Sequence, residues 1–197
     1  MTGKTFDSAT IDRVLSEMGR IAVERGMTLE IAVYGGSALA LVYQWREATH
    51  DVDFMPVRGD VETVRAIADQ ALRNLGLPEG GFRPDVEIFR SDNEEVAVHG
   101  EFPPNRGDAH GIRVFTASPR YLLAMKVLSM RSSLETEDAR DVWHLLDACG
   151  IDSADEAVAL AARFYPDREV PVRNRRLVED IVEAKRSGQD YDPGIAW

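Results

Sequence analysis

The sequence is poor in three features, and each shortage narrows what the protein can do. It has a single cysteine, Cys149, which excludes a disulfide framework and fits a reducing cytoplasm. No apolar run reaches the roughly 18 residues of a membrane span, and the N-terminus lacks a signal-peptide pattern, so we expect a cytoplasmic protein without a membrane partner. Positive charge is also scarce: 23 Lys and Arg face 34 Asp and Glu, a net charge of −11 that argues against broad, non-specific nucleic-acid binding.

Two carboxylates provide the most promising metal-ligand pattern. The four histidines have no zinc spacing, whereas Asp51 and Asp53 alternate with apolar residues in a strand pattern that Pro56 is expected to end. Residues two apart on a strand face the same side, with Cα atoms roughly 6.5 to 7 Å apart, so both carboxylates can hold one cation. The predicted cofactor is Mg²⁺, which accepts carboxylate oxygens and completes its shell with water and substrate phosphates.

A glycine turn, Tyr34-Gly-Gly-Ser37, lies fourteen residues before the first of these acids. The apolar residues ahead of it predict a buried strand, and a helix is expected from Ser37 to about Trp45. Glycines permit a sharp turn close to a bulky anion, and the first N–H groups of a helix favour phosphate. Each motif alone is more often a plain turn or a plain acidic strand, but their order favours a nucleotide site in which Gly36 and Ser37 bind phosphate.

A later helix is predicted over residues 119 to 131, because Ser118 and Pro119 provide a cap and a first-turn proline. Lys126 lies one position from the centre of the buried stripe of this helix. By its pattern alone, it is a lysine whose stem covers apolar surface while its ammonium reaches water.

The next helix, predicted from about Thr136 to Ala148, carries Asp138 and Asp141 on one face. Acids in the first turn usually serve the helix dipole, an interpretation that suits Asp138 better than Asp141. Arg131 steadies this acid pair, binds phosphate or is a solvent-exposed arginine without a role in the site.

The whole pattern predicts an α+β fold with a small mixed β-sheet core and helices, residues 1 to 117, followed by a helical C-terminal half, residues 118 to 197. Residues 77 to 111 are rich in turn formers, with one strand near residues 96 to 99. The remaining predicted elements are a strand over 112 to 115 and helices over 8 to 24, 61 to 75, 153 onward from a capping box at Ser153 and Glu156, and 172 to 185.

These motifs together resemble the DNA polymerase β-like nucleotidyltransferase superfamily, and more closely its bacterial AbiEii/MenT-like branch of toxin–antitoxin and phage-defence pairs. The resemblance covers about residues 29 to 180. It rests on Tyr34-Gly-Gly-Ser-Ala-Leu-Ala-Leu41, Arg46-Glu-Ala-Thr-His-Asp-Val-Asp53, Ser118-Pro-Arg-Tyr-Leu-Leu-Ala-Met-Lys126, Asp138-Ala-Arg-Asp141 and Phe164-Tyr-Pro-Asp-Arg-Glu-Val-Pro171.

The resemblance implies a Mg²⁺-dependent nucleotidyltransferase that uses a nucleoside triphosphate to extend the 3′ end of tRNA, blocks translation and is masked by a cognate antitoxin protein. It also implies an active site between the two halves of the chain. The implied catalytic residues are Asp51, Asp53, Lys126 and Asp141. Of these, Asp51 and Asp53 would bind the metal, and Lys126 would join Gly36 and Ser37 in binding the nucleotide.

Several alternatives stay open at this point. A third metal carboxylate is Asp85, Glu87 or absent. Basic residues cluster in the last two helices: Arg163, Arg168, Arg173, Arg175, Arg176, Lys185 and Arg186. Among them, the run Arg173-Asn-Arg-Arg176 either cradles an RNA backbone or forms a solvated helix face. Two other classes remain: an aminoglycoside-type nucleotidyltransferase, whose cationic acceptor suits an acidic protein, and a non-catalytic binding member of the superfamily.

Overall fold

The computed structural model describes residues 5–83, 91, 99–102, 110–131 and 137–188. It confirms the α+β class. The elements in chain order are β1 (Phe6–Asp7), α1 (Ser8–Glu24), β2 (Leu29–Val33), α2 (Gly35–Ala38) continuing as a π-helix (Leu39–Tyr43), β3 (Ala48–Thr49), β4 (Val52–Arg58), α3 (Val61–Asn74), β5 (Phe82–Arg83), β6 (His99–Phe102), β7 (Ile112–Ala117), α4 (Pro119–Ser129), α5 (Glu137–Cys149), α6 (Ala154–Phe164) and α7 (Val172–Arg186).

The described residues form two compact units. The first unit holds 5–83, 99–102 and 110–117, and the second holds Ser91 with 118–131 and 137–188. The first contains the strands and α1 to α3, and the second contains α4 to α7.

A five-stranded mixed sheet of order β5-β4-β2-β7-β6 organises the first unit, beside a two-stranded sheet of β1 and β3. Strand β2 runs parallel to β7 and antiparallel to β4. The carboxyl ends of β2 and β7 therefore lie at the same sheet edge as the amino end of β4. This edge carries the glycine turn, which follows β2, and the predicted acid pair at the start of β4.

Helix α1 lies directly on the backbone that leads into β7. A Cβ atom at Gly19 would lie 2.1 Å from the carbonyl oxygen of His110, and one at Gly111 would lie 2.2 Å from the carbonyl oxygen of Gly19. Only glycine at both positions permits this approach. The apolar stripe of this helix, which includes Ile11, Val14, Leu15 and Met18, is buried.

The prediction that Pro56 ends the acid strand is wrong, since β4 continues to Arg58. In the antiparallel pair with β2, Tyr34 N–H donates to the carbonyl of Asp53, and hydrogen-bonded pairs alternate along the ladder. Pro56 pairs with Ile31, three positions along the ladder from that hydrogen-bonded pair, so it occupies a position that is not hydrogen-bonded. The nitrogen of Pro56 therefore points away from β2. Among the described residues, β5 pairs with β4 only at Val52 and Asp53, so no ladder bond is lost on that side.

The helix after the glycine turn is shorter than expected. Four α-helical residues give way to the π-helix, which ends at Tyr43 rather than Trp45 because Gln44 adopts a left-handed conformation with φ 55°.

Between residues 77 and 111, the prediction of a single strand is wrong, because the described part contains both β5 and β6. The predicted strand reaches β6 only at His99, and its other residues lie outside the described part of the chain. Asp85 and Glu87 also lie outside it, so the question of a third carboxylate stays open.

The second unit packs α4 against α5 and α6. At its centre, the Tyr121 ring stacks on Phe164 with centroids 5.0 Å apart, and Ser91 N–H donates to the Tyr121 hydroxyl at 2.6 Å. Helix α4 ends at Ser129, two residues before the predicted end, and α5 begins at Glu137. None of the helices in the described ranges has both the length and the apolar character needed to cross a bilayer.

Candidate functional site

The first group of candidate residues lies where the glycine turn faces the start of β4. Gly35 has φ 55°, and a Cβ atom there would lie 3.0 Å from Oδ2 of Asp53. The Asp53 carboxylate therefore lies against the backbone of the turn, in space that is open because residue 35 lacks a side chain. The structure thus brings together the two motifs that the sequence analysis singled out.

Asp51 lies directly before β4 rather than within it, yet its carboxylate shares the face of Asp53. Asp53 pairs with Arg83 across the parallel ladder, and residues paired in this way project from the same side of a sheet. The Arg83 guanidinium reaches Asp51, with Nη1 at 3.3 Å from Oδ2, which places Asp51 on that side as well. The Asp51 side chain is 34% exposed, so solvent reaches it.

Ser37 is placed differently from the sequence-based expectation. Its side chain is fully buried, and its hydroxyl lies 2.6 Å from the carbonyl oxygen of Tyr34 and 3.3 Å from that of Asp53. The hydroxyl thus ties the turn to β4. A phosphate contact from Ser37 would have to use its backbone N–H, as one from Gly36 must.

Arg46 provides a cation at this turn. A Cβ atom at Gly36 would lie 2.2 Å from Nη1 of Arg46 and 3.0 Å from Oγ1 of Thr49. The guanidinium therefore occupies the space beside Gly36, while its Nε donates to the carbonyl of Ala48 at 3.1 Å. Glycine at position 36 makes room for positive charge next to the predicted phosphate-binding backbone.

The residues present suit a hard cation of the magnesium type. Asp51 and Asp53 offer only oxygen donors, share one face and are partly exposed. Within the described ranges, no group of three or more His, Cys, Asp and Glu side chains is arranged to hold a metal. A two-carboxylate site of this kind would depend on water and substrate phosphates for the remaining ligands.

The second group lies in the second unit, around Lys126. Its Nζ lies 2.6 Å from Oδ1 of Asp138 and 2.7 Å from Oδ2 of Asp141, and all three side chains are at most 13% exposed. Arg131 donates to Oδ2 of Asp138 through its backbone N–H at 3.0 Å and its Nε at 3.1 Å. The positive charges of Lys126 and Arg131 therefore balance the negative charges of Asp138 and Asp141. Because its ammonium is buried in ion pairs, Lys126 is not the snorkelling surface lysine that its pattern alone indicates.

The electrostatics of this cluster favour a charged Asp138. Burial alone would raise the pKa of its carboxyl, but the Lys126 ammonium and the hydrogen bonds from Lys126 and Arg131 outweigh burial and hold the pKa well below its usual range. Asp138 is therefore an ion-pair partner rather than a proton donor at neutral pH.

Asn174 of α7 fixes the end of α4, which carries Lys126. Its fully buried amide donates from Nδ2 to the carbonyls of Val127 and Leu128, each at 3.0 Å. These carbonyls lack intrahelical donors at a helix end, so the asparagine acts as a cap supplied by another helix. Its Oδ1 has no hydrogen-bond partner within the described part of the chain.

The basic residues of the last two helices are largely engaged within the unit. Arg175 pairs with Asp155 and Glu179, and Lys185 lies 2.7 Å from Asp147 and 4.0 Å from the ring centre of Trp143. Such pairing favours the solvated-face interpretation for these side chains. Arg173 and Arg176 are exposed on α7.

Two residues of these groups, Arg83 and Asn174, were not predicted from the sequence. Arg83 reaches the acid pair only through the pairing of β5 with β4, and Asn174 acts across a distance of 46 residues along the chain. No local pattern marks either residue.

In comparisons with known proteins, the chain matches no family model, no curated protein and no solved structure.

Proposed function

We propose that the protein is a nucleotidyltransferase that transfers nucleotides from a nucleoside triphosphate to the 3′ end of tRNA, acting in the cytoplasm as the toxin of a toxin–antitoxin pair. The observation that carries the proposal is the Asp53 carboxylate lying against the Gly35 turn, with Asp51 on the same face. The tRNA acceptor, the block of translation and the antitoxin partner rest on the resemblance of the motifs to the AbiEii/MenT-like branch.

In this proposal, the acceptor hydroxyl attacks the α-phosphorus in line and gives its proton to solvent, a new O–P bond forms, and the bond between the α- and β-phosphates breaks so that pyrophosphate leaves. Asp51 and Asp53 would hold Mg²⁺, which neutralises phosphate charge and favours loss of the hydroxyl proton when bound. The backbone at Gly36 and Ser37, with the Arg46 guanidinium beside it, would bind phosphate oxygens.

Lys126 and Asp141 have separate roles in the proposal. By the resemblance alone, the Lys126 ammonium would compensate charge on the transferred nucleotidyl group. Asp141, buried and 2.7 Å from that ammonium, positions it. Asp138 and Arg131 complete the charge balance around it.

The test is incubation with each radiolabelled nucleoside triphosphate, Mg²⁺ and total cellular RNA. We expect label in tRNA from the wild type and a loss of about 10²-fold or more in Asp53→Asn, the scale seen when one preorganised electrostatic group is removed. Glu62→Gln is the matched control, because this carboxylate of the same unit is 79% exposed and lies outside the site. Absence of label from every RNA, or equal labelling by Asp53→Asn, would contradict the proposal.

A second candidate acceptor is a small polycation of the aminoglycoside type, and the net charge of −11 favours it. Added salt separates the two acceptors, because screening weakens attraction between opposite charges and relieves repulsion between like charges. With a cationic drug, the KM should rise with salt. With tRNA, the KM should stay flat or fall, unlike that of a basic RNA-binding enzyme.

Expression in cells gives an independent answer, since drug resistance points to the small acceptor and growth arrest points to tRNA. Triphosphate binding without transfer to either acceptor would indicate a non-catalytic binding member.

A further inference from the structure

The segment between the glycine turn and the acid strand carries two stacked aromatic rings. Tyr43 and Trp45 have ring centroids 4.8 Å apart and an interplanar angle of 22°. Residues two apart in a continuous α-helix point to nearly opposite sides, so they cannot stack. The stack exists because Gln44, between them, has φ 55° and ψ 29° and turns the chain back.

The backbone of this segment departs from regular geometry in two ways. Leu39–Tyr43 is π-helical, and the Leu39 carbonyl accepts from both Gln44 N–H and Trp45 N–H. A left-handed conformation is unfavourable for a residue with a side chain such as glutamine. In proteins, π-helical turns and left-handed residues other than glycine are both concentrated at functional sites.

The stack is held near the end of the sheet that carries the acid pair. The Tyr43 hydroxyl donates to the carbonyl of Ala117, the last residue of β7, at 3.0 Å. Ala117 lies at the sheet edge where β2 leads into the glycine turn and where β4 begins at Val52, next to Asp53. Strand β7 is two strands from β4, a distance of roughly 10 Å. The Tyr43 end of the stack is therefore held within about one nucleotide's length of the strand that carries Asp53.

We propose that the Tyr43–Trp45 stack binds a nucleobase, which lies on the exposed part of the Trp45 ring while the phosphates lie at the glycine turn. This inference rests on the proposed function and adds the residues that hold the base. Both rings are partly exposed, and Trp45 directly precedes Arg46, which lies at Gly36. Stacking on an aromatic ring accepts any base, because every base has a π-face. The base belongs either to the donor triphosphate or to the terminal nucleotide of the acceptor RNA.

Tryptophan fluorescence tests the contact without requiring catalysis. The chain has three tryptophans, so the double variant Trp143→Phe/Trp197→Phe reports on Trp45 alone. We expect nucleoside triphosphates to quench this emission and inorganic tripolyphosphate, which has no base, to leave it unchanged. Quenching by tRNA but not by triphosphates would assign the stack to the acceptor base. No quenching by either, at concentrations that saturate binding, would overturn the proposal.

Kinetics provide the second measurement. Trp45→Ala should raise the KM for the triphosphate, or for tRNA if the acceptor base is bound, by about tenfold or more. Its kcat should change less, and Trp45→Phe should recover most of the loss. Trp143→Phe, in the second unit, is the matched control and should keep both KM values. A thermal melt of each variant separates unfolding from lost contact.

The two proposals fail in different ways. If the wild type transfers label in an Asp53-dependent manner while Trp45→Ala keeps both KM values within twofold, the base contact is wrong and the transferase assignment stands. If no transfer occurs but nucleosides quench Trp45, the base contact stands and the transferase assignment is wrong.

Discussion

A side chain at position 35 would be unfavourable for two reasons, the left-handed backbone and the nearby Asp53 carboxylate. Gly26 shares only the first of these reasons. Gly35 has φ 55° and faces Asp53 Oδ2, whereas Gly26 has φ 68° and no atom within 4 Å of the place that a Cβ would take. Alanine at either position incurs the left-handed penalty of about 1 to 2 kcal/mol. Only alanine at position 35 also presses on the carboxylate.

We therefore predict that Gly35→Ala and Gly26→Ala lower the free energy of unfolding by similar amounts, about 1 to 2 kcal/mol. Only Gly35→Ala should lower the rate of nucleotide transfer, because it displaces Asp53. Urea unfolding and the labelling assay measure the two effects. Equal activity in both variants would show that the position of the Asp53 carboxylate is unimportant for transfer.

The Lys126 cluster predicts a pH dependence of stability. The folded-state pKa of Asp138 is depressed below the ordinary value of 3.8, so its contribution is present above about pH 4 and is lost as the pH falls from there toward the folded-state pKa. Asp138→Asn should be less stable at pH 7 by about 1 to 3 kcal/mol, because Lys126 loses one of its two carboxylate partners while Asp141 still compensates its charge.

The same variant should lose less stability than the wild type on going from about pH 5 to about pH 2.5. Asp155→Asn is the control, since this side chain is 80% exposed and should leave the pH profile unchanged. Parallel profiles for the wild type and Asp138→Asn would contradict the prediction.

At the scale of helices and strands, Asn174 joins α7 to the end of α4. Asn174→Ala leaves the carbonyls of Val127 and Leu128 without their donor in a buried position, at a cost of about 1 to 3 kcal/mol. Asn74→Ala removes an exposed amide that donates to Glu17 at 2.6 Å and should cost about 0.5 kcal/mol or less. Thermal unfolding compares the two variants, and equal losses would rule out the capping role.

Local signals predicted the helices well. Helix α1 begins at Ser8 and ends at Glu24, as its apolar stripe indicated, with the Asp7 side chain accepting from Thr10 N–H at 2.8 Å. The predicted cap at Ser153 is confirmed, since its hydroxyl accepts from Glu156 N–H at 3.2 Å. Caps and stripes involve residues a few positions apart, so they are visible in the sequence.

The strands and part of the site depend on partners that are distant along the chain. The two residues of β5 form a strand only because β4 lies beside them, and Pro56 is tolerated only because its nitrogen faces away from β2. Asp51 and Asp53 could be predicted as a pair from alternation. The burial of Ser37 could not, because it depends on how the turn packs against β4.

At the scale of the whole molecule, Ser91 belongs to the second unit although residues on either side along the chain, 5–83 and 99–102, belong to the first. It is 2% exposed, its N–H donates to Tyr121 and its hydroxyl donates to the carbonyl of Phe164. The helical unit therefore depends on a residue outside its own C-terminal sequence.

We predict that Ser91→Ala destabilises the second unit by about 1 to 3 kcal/mol, since the Phe164 carbonyl loses its hydroxyl donor. Hydrogen exchange should become faster in α4 and α6 and stay unchanged in α1. Ser187→Ala removes an exposed hydroxyl that donates to Ala184, and it should change nothing beyond about 0.5 kcal/mol. Faster exchange in α1 as well would contradict this local effect.

The paired glycines of α1 and the chain before β7 affect how a mutational survey of this protein should be interpreted. Gly19 and Gly111 approach each other across 92 positions of sequence, and any side chain at either one would meet backbone atoms of the other segment. If expression arrests growth, as the proposed function expects, most substitutions at both positions should therefore relieve the arrest, because little soluble protein accumulates. Protein abundance measured alongside growth would separate them from Asp53, where substitution should relieve the arrest while the protein still accumulates.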